Sequence, residues 1–300
     1  MVVTHGSLQP ALGPCALTIG NFDGVHRGHR ALLEQVVAQA RDIGVTSCVL
    51  TFEPHPREFF SPQSAPGRLT RLRDKLELIA AAGIERVHVI RFTAAFAALS
   101  AARFIEQVLV NGLRTKWLLI GRDFRFGAQR KGDFATLEGK GFALEAMPDV
   151  QFNGERVSSS AVRAALAAGD FERAEQLLGR PYSISGKVVH GAHLGRELGF
   201  PTANIPLPHR PPLAGIYVVE VEAHGRGVAS LGYRPTVNPL PQPLLEVHLL
   251  DRNPTLYGQR LRVRFRRKLR DEAKFNDLDA LRAAIAQDAA QAREYFARHG

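Results

Sequence analysis

Two periodicities divide the chain. Up to about residue 122, short apolar runs at Cys15–Gly20, Thr46–Phe52, Arg86–Arg91 and Lys116–Gly121 alternate with stretches at 29–42, 70–82 and 99–110 whose apolar residues recur every three or four positions. Apolar runs separated by helical patterns predict parallel strands joined by crossover helices, with both faces of the sheet covered. Two short helices are expected next, at 159–168 and 170–178, and Pro181 marks a boundary. Beyond it the period falls to two: Tyr182–His190, Gly215–Glu222, Gly227–Gly232, Leu244–Asp251 and Gln259–Lys268 read as strands separated by Pro- and Gly-rich turns. That pattern predicts a small antiparallel barrel, six-stranded in the fold class expected here, closed by a helix over Asp277–Phe296 with Leu278, Leu281 and Ile285 on one face. The expected organisation is an α/β, Rossmann-like domain at 1–180 followed by a β-barrel domain at 181–300.

Composition narrows the class. With 300 residues, 45% of them hydrophobic and 23% charged, the chain reads as an ordinary globular protein of two domains. No apolar stretch approaches the ~20 residues that span a bilayer, and the opening MVVTHGSLQP lacks a basic region followed by an apolar core. A cytoplasmic location without membrane partners is the expectation. Cys15 and Cys48 fall in expected strands, with no C-x-x-C or Cys/His company, and read as buried thiols. The net charge of +10 favours anionic partners. Its densest run, Arg260–Arg266, alternates with Leu261, Val263 and Phe265, which is the pattern of a strand with a solvated basic face. Small polyanions account for the charge, so nucleic acid is not expected as a partner. Nothing in the sequence fixes the number of subunits.

The chemistry concentrates at the ends of the expected strands, where ligands of open α/β sheets sit. Gly20-Asn21-Phe22-Asp23-Gly24-Val25-His26-Arg27-Gly28-His29 follows the first apolar run and opens a helix. A glycine-rich turn, a helix start and two histidines suit a nucleotide phosphate, because backbone N–H groups and the dipole favour an anion while imidazoles donate to charge building on phosphorus. The H-x-G-H spacing looks like that of nucleotidylyltransferases. Thr51-Phe52-Glu53-Pro54-His55-Pro56 stiffens a second loop carrying Glu53 and His55, and Gly121-Arg122-Asp123-Phe124-Arg125-Phe126-Gly127 offers charge and aromatic rings in a third. Ser158-Ser159-Ser160 followed by Arg163 forms a second anion clamp at a helix start. Taken singly, each has a plain reading: satisfied histidines, an N-cap, or a surface pair between Asp123 and Arg125.

The second half has its own constellation. Gly191 to Ile205 contains Gly195-Arg196-Glu197-Leu198-Gly199-Phe200-Pro201-Thr202-Ala203-Asn204, whose Thr-x-Asn offers two hard oxygens to Mg²⁺ and equally reads as a turn with Asn204 capping backbone groups. Glu246 interrupts an apolar strand, where it is either an acid with a task or an outward carboxylate alternating with His248. Arg270-Asp271-Glu272-Ala273-Lys274-Phe275 is a charged turn before the last helix.

N-F-D-G-V-H-x-G-H, T-F-E-P-H-P, G-x-D-F-R-F-G and S-S-S-x-x-R, together with G-R-x-L-G-F-P-T-A-N, closely resemble the bifunctional riboflavin kinase/FAD synthetase family over about residues 15 to 290. The resemblance implies that ATP phosphorylates riboflavin to FMN in the second domain and that FMN is adenylylated to FAD, releasing pyrophosphate, in the first. By the same resemblance Gly20, Asn21, Phe22, Asp23, Gly24, His26, His29, Ser159, Ser160 and Arg163 would hold ATP, with His26 and His29 stabilising the transition state. Glu53, His55, Asp123, Phe124 and Arg125 would meet flavin, with the loops around Glu53 and Asp123 each open to either the adenine or the isoalloxazine ring. In the barrel, Gly191, Gly195, Arg196, Pro201, Arg270 and Phe275 would contact ATP or flavin, Thr202 and Asn204 would touch Mg²⁺–ATP, and Glu246 would be the general base. The chain departs from the pattern at Ser230, where the family usually has Asn, at Ser160, where it often has Thr, and in Asp251–Gly258, which lacks the usual Phe and acid. Rival readings are an enzyme with only one of the activities and a flavin- or RNA-binding regulator.

Overall fold

The computed structural model describes residues 1–6, 13–191, 194–234 and 242–299, apart from the side chains of Leu194, Arg196 and Arg234. Two compact units emerge: Met1–Pro66 with Leu72–Ser158, and Gly67–Arg71 with Ser159–Gly300.

The first unit is built on strands β1 (Val2–His5), β2 (Cys15–Ile19), β3 (Thr46–Glu53), β4 (Arg86–Arg91), β5 (Thr115–Gly121) and β6 (Ala143–Met147). They form one parallel sheet in the order β1-β4-β3-β2-β5-β6. Helices α1 (Arg27–Asp42), α2 (Pro56–Phe60), α3 (Leu72–Ala81), α4 (Ala94–Ala97) and α5 (Ala101–Arg103, continued by a π-type turn Phe104–Gly112) lie between the strands in sequence. Successive strand residues enter opposite cores: Leu17, Leu50 and Leu118 join one apolar cluster, and Ala16, Val49 and Leu119 the other. Burial on both faces explains why the central strands read as unbroken apolar runs. The edge strands β1 and β6 escape that signal because their residues are only partly buried. A small hairpin, β7 (Gln151–Phe152) and β8 (Glu155–Arg156), turns through Asn153 and Gly154, both at positive φ as such a two-residue turn requires. From β2 the chain builds outward through β3 and β4, then returns to place β5 on the other side of β2. A crevice opens at the carboxyl ends of strands where the order reverses in this way.

The second unit begins with α6 (Ser159–Ala167) and α7 (Phe171–Leu178). Strands β9 (Ser183–Lys187), β10 (Ala203–Pro206), β11 (Gly215–Val221), β12 (Gly225–Arg234), β13 (Gln242–Leu249) and β14 (Arg260–Arg270) pair antiparallel in the order β10-β13-β12-β11-β14-β9. A bridge between Val189 and Asn204, with Val189 N–H donating to the Asn204 carbonyl at 2.8 Å, brings the two ends together and nearly closes the barrel. A short helix, α8 (Leu194–Glu197), and the long C-terminal α9 (Leu278–His299) complete it. Phe171, Tyr182, Tyr217 and Phe265 meet with ring centroids 5.2–6.3 Å apart, joining α7 to the barrel core. Burial pushes the Tyr217 phenol well above its ordinary pKa, and its hydroxyl donates to the Ala214 carbonyl at 2.6 Å.

Leu261, Val263 and Phe265 point inward as their spacing predicts. The intervening arginines stay outside and pair with glutamates, Arg264 with Glu222 and Arg266 with Glu220, both at 2.7 Å. α9 packs by the expected face, whose fully buried part lies in its second half while Leu281 and Ile285 line a cavity. Ala289, Ala292 and Phe296 are its buried anchors against Val218, Val228 and Leu250, whereas Leu278 is 56% exposed. Alanines let a helix axis approach a sheet closely, so the small residues rather than the leucines mark the contact.

Phe265→Ala should remove about 3–5 kcal/mol, the usual cost of deleting a buried ring. Urea denaturation should show the barrel unit melting at a markedly lower midpoint; an unchanged midpoint would exclude the aromatic cluster as its core.

Candidate active sites

In the first unit the site grows out of β2. Gly20 N–H donates to the Leu50 carbonyl at 3.1 Å, beyond the last residue of the strand. The chain then turns through Phe22 (φ 49°), Gly24 (φ 87°) and Val25 (φ 39°). Positive φ is costly for Phe and more so for β-branched Val, and it persists only where the surroundings enforce it. Here burial does so: Phe22 and Val25 are each 1% exposed in the cluster that packs α1 on the sheet.

The turn delivers His26 to the N-cap of α1, where its Nδ1 accepts from the His29 N–H at 3.2 Å. An accepting Nδ1 carries no proton, so the neutral His26 ring is protonated at Nε2. The His26 and His29 rings stack at 3.6 Å between centroids, 16° from parallel, and Phe22 tilts against His29 at 5.0 Å. Asp23 and His26 are buried, and Asn21 Oδ1 is buried with no hydrogen-bond partner in the structure. Two imidazoles at the positive end of a sixteen-residue helix are an arrangement suited to an anion.

At the end of β3, His55 is the N-cap of α2: its Nδ1 accepts from Arg57 N–H at 3.1 Å, and Glu58 accepts in return from the His55 N–H at 3.3 Å. Glu53 closes the strand, its carbonyl accepting from Phe92 N–H at 3.0 Å. After β5, Asp123 pairs with Arg156 at 3.1 Å and Arg125 with Asp133 at 3.3 Å, so the two are not each other's partners. Phe124 stacks on Phe126 at 5.6 Å. Ser159, Ser160 and Arg163 lie on α6, in the second unit, where Arg163 Nε donates to the Gly67 carbonyl at 2.7 Å.

The second unit contains a cavity of about 630 Å³ lined by Thr202, Asn204, Glu246, Arg270, Glu272 and Phe275 among others. The strand pleat places them. Leu245, Val247 and Leu249 of β13 point into the barrel, so Glu246 and His248 face the cavity on the other side. Asn204 stands opposite Glu246 in the β10–β13 ladder, and Ser230 stands opposite it on β12. The glycines close around the same pair: a Cβ on Gly191 would lie 2.5 Å from the Asn204 amide nitrogen, and one on Gly195 2.5 Å from the Phe200 carbonyl and 3.3 Å from Thr202 Oγ1. A second cavity of about 170 Å³ adjoins Thr202 and is walled by Arg252, Thr255 and Tyr257, with Tyr257 stacked on His190 at 4.0 Å.

Residues 8–161 match the family model for FAD synthetase and residues 178–296 that for riboflavin kinase. The chain is 49% identical over 301 residues to the bifunctional riboflavin kinase/FMN adenylyltransferase of Escherichia coli K12, covering 97% of this chain and 96% of that protein. It is 48% identical to the Pseudomonas fluorescens protein of the same name, over 96% and 94% of the two chains. The chain belongs to the bifunctional riboflavin kinase/FMN adenylyltransferase family. A solved structure described as a macrolide-efflux protein from Streptococcus pneumoniae is also similar, with a TM-score of 0.79 and 28% identity over 98% of this chain and 99% of that one.

For a riboflavin kinase/FMN adenylyltransferase, the sequence reading missed two features. The first is a run of phenylalanines at the strand ends: Phe92 lies 5.4–5.8 Å from the rings of Phe52, Phe59, Phe60 and Phe96, and Phe60 is 64% exposed. The Phe59-Phe60 doublet and a Phe directly after β4 were the available signal. The second is Asp288, 4% exposed, which accepts from Arg270 Nε at 3.0 Å and from its second terminal nitrogen at 2.7 Å. Arg270 spends its fork on that carboxylate and sets its guanidinium over the Phe275 ring at 5.6 Å. No local pattern marks Asp288, a lone acid among alanines. The side chain of Arg196, like Pro235 and Thr236, lies outside the described residues.

The Glu272 carboxylate fills the space where a Cβ on Gly232 would stand. Burial, with the Glu246 charge adding to it, holds the Glu272 carboxyl above the ordinary value. The folded protein therefore binds this proton more tightly than the unfolded chain, and the stability so gained is present at low pH and lost as pH rises through the raised value. Glu272→Gln, which is never charged, should melt above the parent at neutral pH, and the gap should close below about pH 4, where an unfolded Glu is itself protonated. Thermal melts across a pH series test this; a variant melting no higher at neutral pH would refute it.

Proposed function

We propose that the family's two reactions are divided between two domains, 1–180 and 181–300, a boundary that lies after α7 and not at Ser158 where the first compact unit ends, and that the residues above carry them. In the barrel, the ribityl 5′-hydroxyl of riboflavin forms a bond to the γ-phosphorus of ATP, the bond from that phosphorus to the β-phosphate oxygen breaks, and ADP leaves. A hydroxyl is a weak nucleophile near neutral pH, and Glu246 takes its proton. The register pair Asn204–Glu246 carries this reading, since it sets an acceptor carboxylate beside a hard oxygen in one cavity. Thr202 and Asn204 offer hard oxygens suited to Mg²⁺, which takes few protein ligands and keeps phosphate oxygens and waters. When bound it would neutralise charge on the triphosphate. Arg252 and Tyr257 in the adjoining cavity suit the rest of the nucleotide, and Phe275 with the face of Arg270 suits the isoalloxazine.

In the first unit, the FMN phosphate attacks the α-phosphorus of a second ATP, and pyrophosphate leaves. This nucleophile is already anionic because its second pKa is about 6, so no protein base is required. His26 and His29 supply donors to the developing charge, aided by the α1 dipole, as positioning and neutralisation do in other phosphoryl transfers. Gly20 to Gly24 bring backbone close to the phosphates. The phenylalanines around Phe92, with Phe124, offer the surface on which an aromatic tricycle stacks, near Glu53, His55, Asp123 and Arg125. Small polyanions of this kind suit the charge of +10, because the basic stripe of β14 is already paired with Glu220 and Glu222. No helix among the described residues is long and apolar enough to cross a membrane, and a cytoplasmic location agrees with two buried free cysteines.

Glu246→Ala should abolish FMN formation while sparing FAD formation from supplied FMN, and His29→Ala should do the reverse, losing about 10²–10³ in rate as for an oxyanion donor. Chromatography of flavins after incubation with ATP and Mg²⁺ resolves the two. Equal damage to both reactions by either change would defeat the division.

A further inference from the structure

The β10–β13 ladder stops at Ala203, paired with Val247. One step further, Thr202 would stand opposite His248, and beyond it Pro201 has no N–H to donate. The ladder therefore ends before the segment that brings Thr202 into the cavity, which the Phe200 N–H ties to the Gly195 carbonyl at 2.7 Å and the Asn204 amide ties at the Thr202 carbonyl at 3.4 Å. Between those two ties the His248 side chain reaches the residue that the ladder cannot: its Nδ1 lies 3.0 Å from the Pro201 carbonyl oxygen. A carbonyl only accepts, so Nδ1 carries the proton, which leaves Nε2 unprotonated in the neutral ring. The ring is also fixed by Phe200, whose centroid lies 5.4 Å away with the planes 79° apart. His248 lines the same cavity as Glu246, two residues along the same face of β13.

We infer that His248 is a positioning residue of the kinase reaction: its Nδ1–H grips the Pro201 carbonyl and thereby sets Thr202 and Asn204 for the nucleotide. The inference rests on the assignment of those two residues to Mg²⁺–ATP. It follows that His248 acts on the ATP side of the reaction and not on flavin. Asparagine at this position carries an amide N–H close to where Nδ1 stands, whereas the longer glutamine amide reaches toward Nε2, so the two substitutions separate the grip from mere polarity.

In the full-length protein, His248→Ala and His248→Gln should raise the KM for ATP in riboflavin phosphorylation roughly three- to tenfold, as loss of one ordinary hydrogen bond would, while His248→Asn stays within about twofold. The KM for riboflavin and the rate of FAD formation from supplied FMN should stay at wild-type values. Independently of turnover, ¹⁵N spectra of the labelled histidine ring should show the Nδ1–H form in the resting protein. An Nε2–H ring, an unchanged ATP KM in His248→Ala, or an equal rise in both KM values in all three variants would overturn the inference. Wild-type protein that makes no FMN would instead remove the kinase assignment, and the ring spectrum would still decide whether the grip exists.

Discussion

A β-strand has two faces and one carboxyl end, and the candidate chemistry of this protein is built largely on those three places. In β13 the pleat that drives Leu245, Val247 and Leu249 into the barrel obliges Glu246 and His248 to face the other way. A carboxylate so placed is anchored by apolar burial it does not itself share. In the parallel sheet, where both faces are covered, the strand end alone is left for chemistry, and β2 ends at the point where strand order reverses.

The turn after β2 shows how core packing is converted into a site. Phe22 and Val25 hold conformations that their side chains disfavour, and burial of those same side chains keeps them there. The strain and the burial are thus located in the same two residues, and the outcome is a helix start whose cap is an imidazole rather than a serine or aspartate. A His cap does the structural work of satisfying an N–H and leaves its Nε2–H as a donor. His55 on α2 is engaged by the same kind of cap, with Glu58 completing the box, so its ring nitrogen Nδ1 is committed to the fold.

The large cavity of the second unit is shaped from outside the barrel by α9 and the segment before it. Asp288 fixes Arg270 from the buried side of the helix, and Glu272 sits on Gly232, the one residue type there that leaves room. Two acids and a restrained arginine give the cavity a polar wall. A side chain of any size at residue 232 would displace Glu272, which explains a glycine inside a barrel strand better than backbone freedom does.

The sequence by itself determined the two architectures, because a buried parallel strand, a crossover helix and a half-exposed barrel strand each impose a different spacing of apolar residues. It also determined the family, since H-x-G-H and G-R-x-L-G-F-P-T-A-N are contiguous motifs that can be read without any tertiary contact. Tertiary structure alone decided what depends on residues distant in the chain: that Asp123 pairs with Arg156 and not Arg125, that Asn204 stands across from Glu246, that alanines and Phe296 seat α9 most deeply, and that phenylalanines from the ends of β3 and β4 gather around Phe92. Periodicity reports which face a residue occupies, but not which neighbour that face will meet. The edge strands β1 and β6 were illegible for a related reason: with one neighbour instead of two, they need less apolar sequence to stay in the sheet.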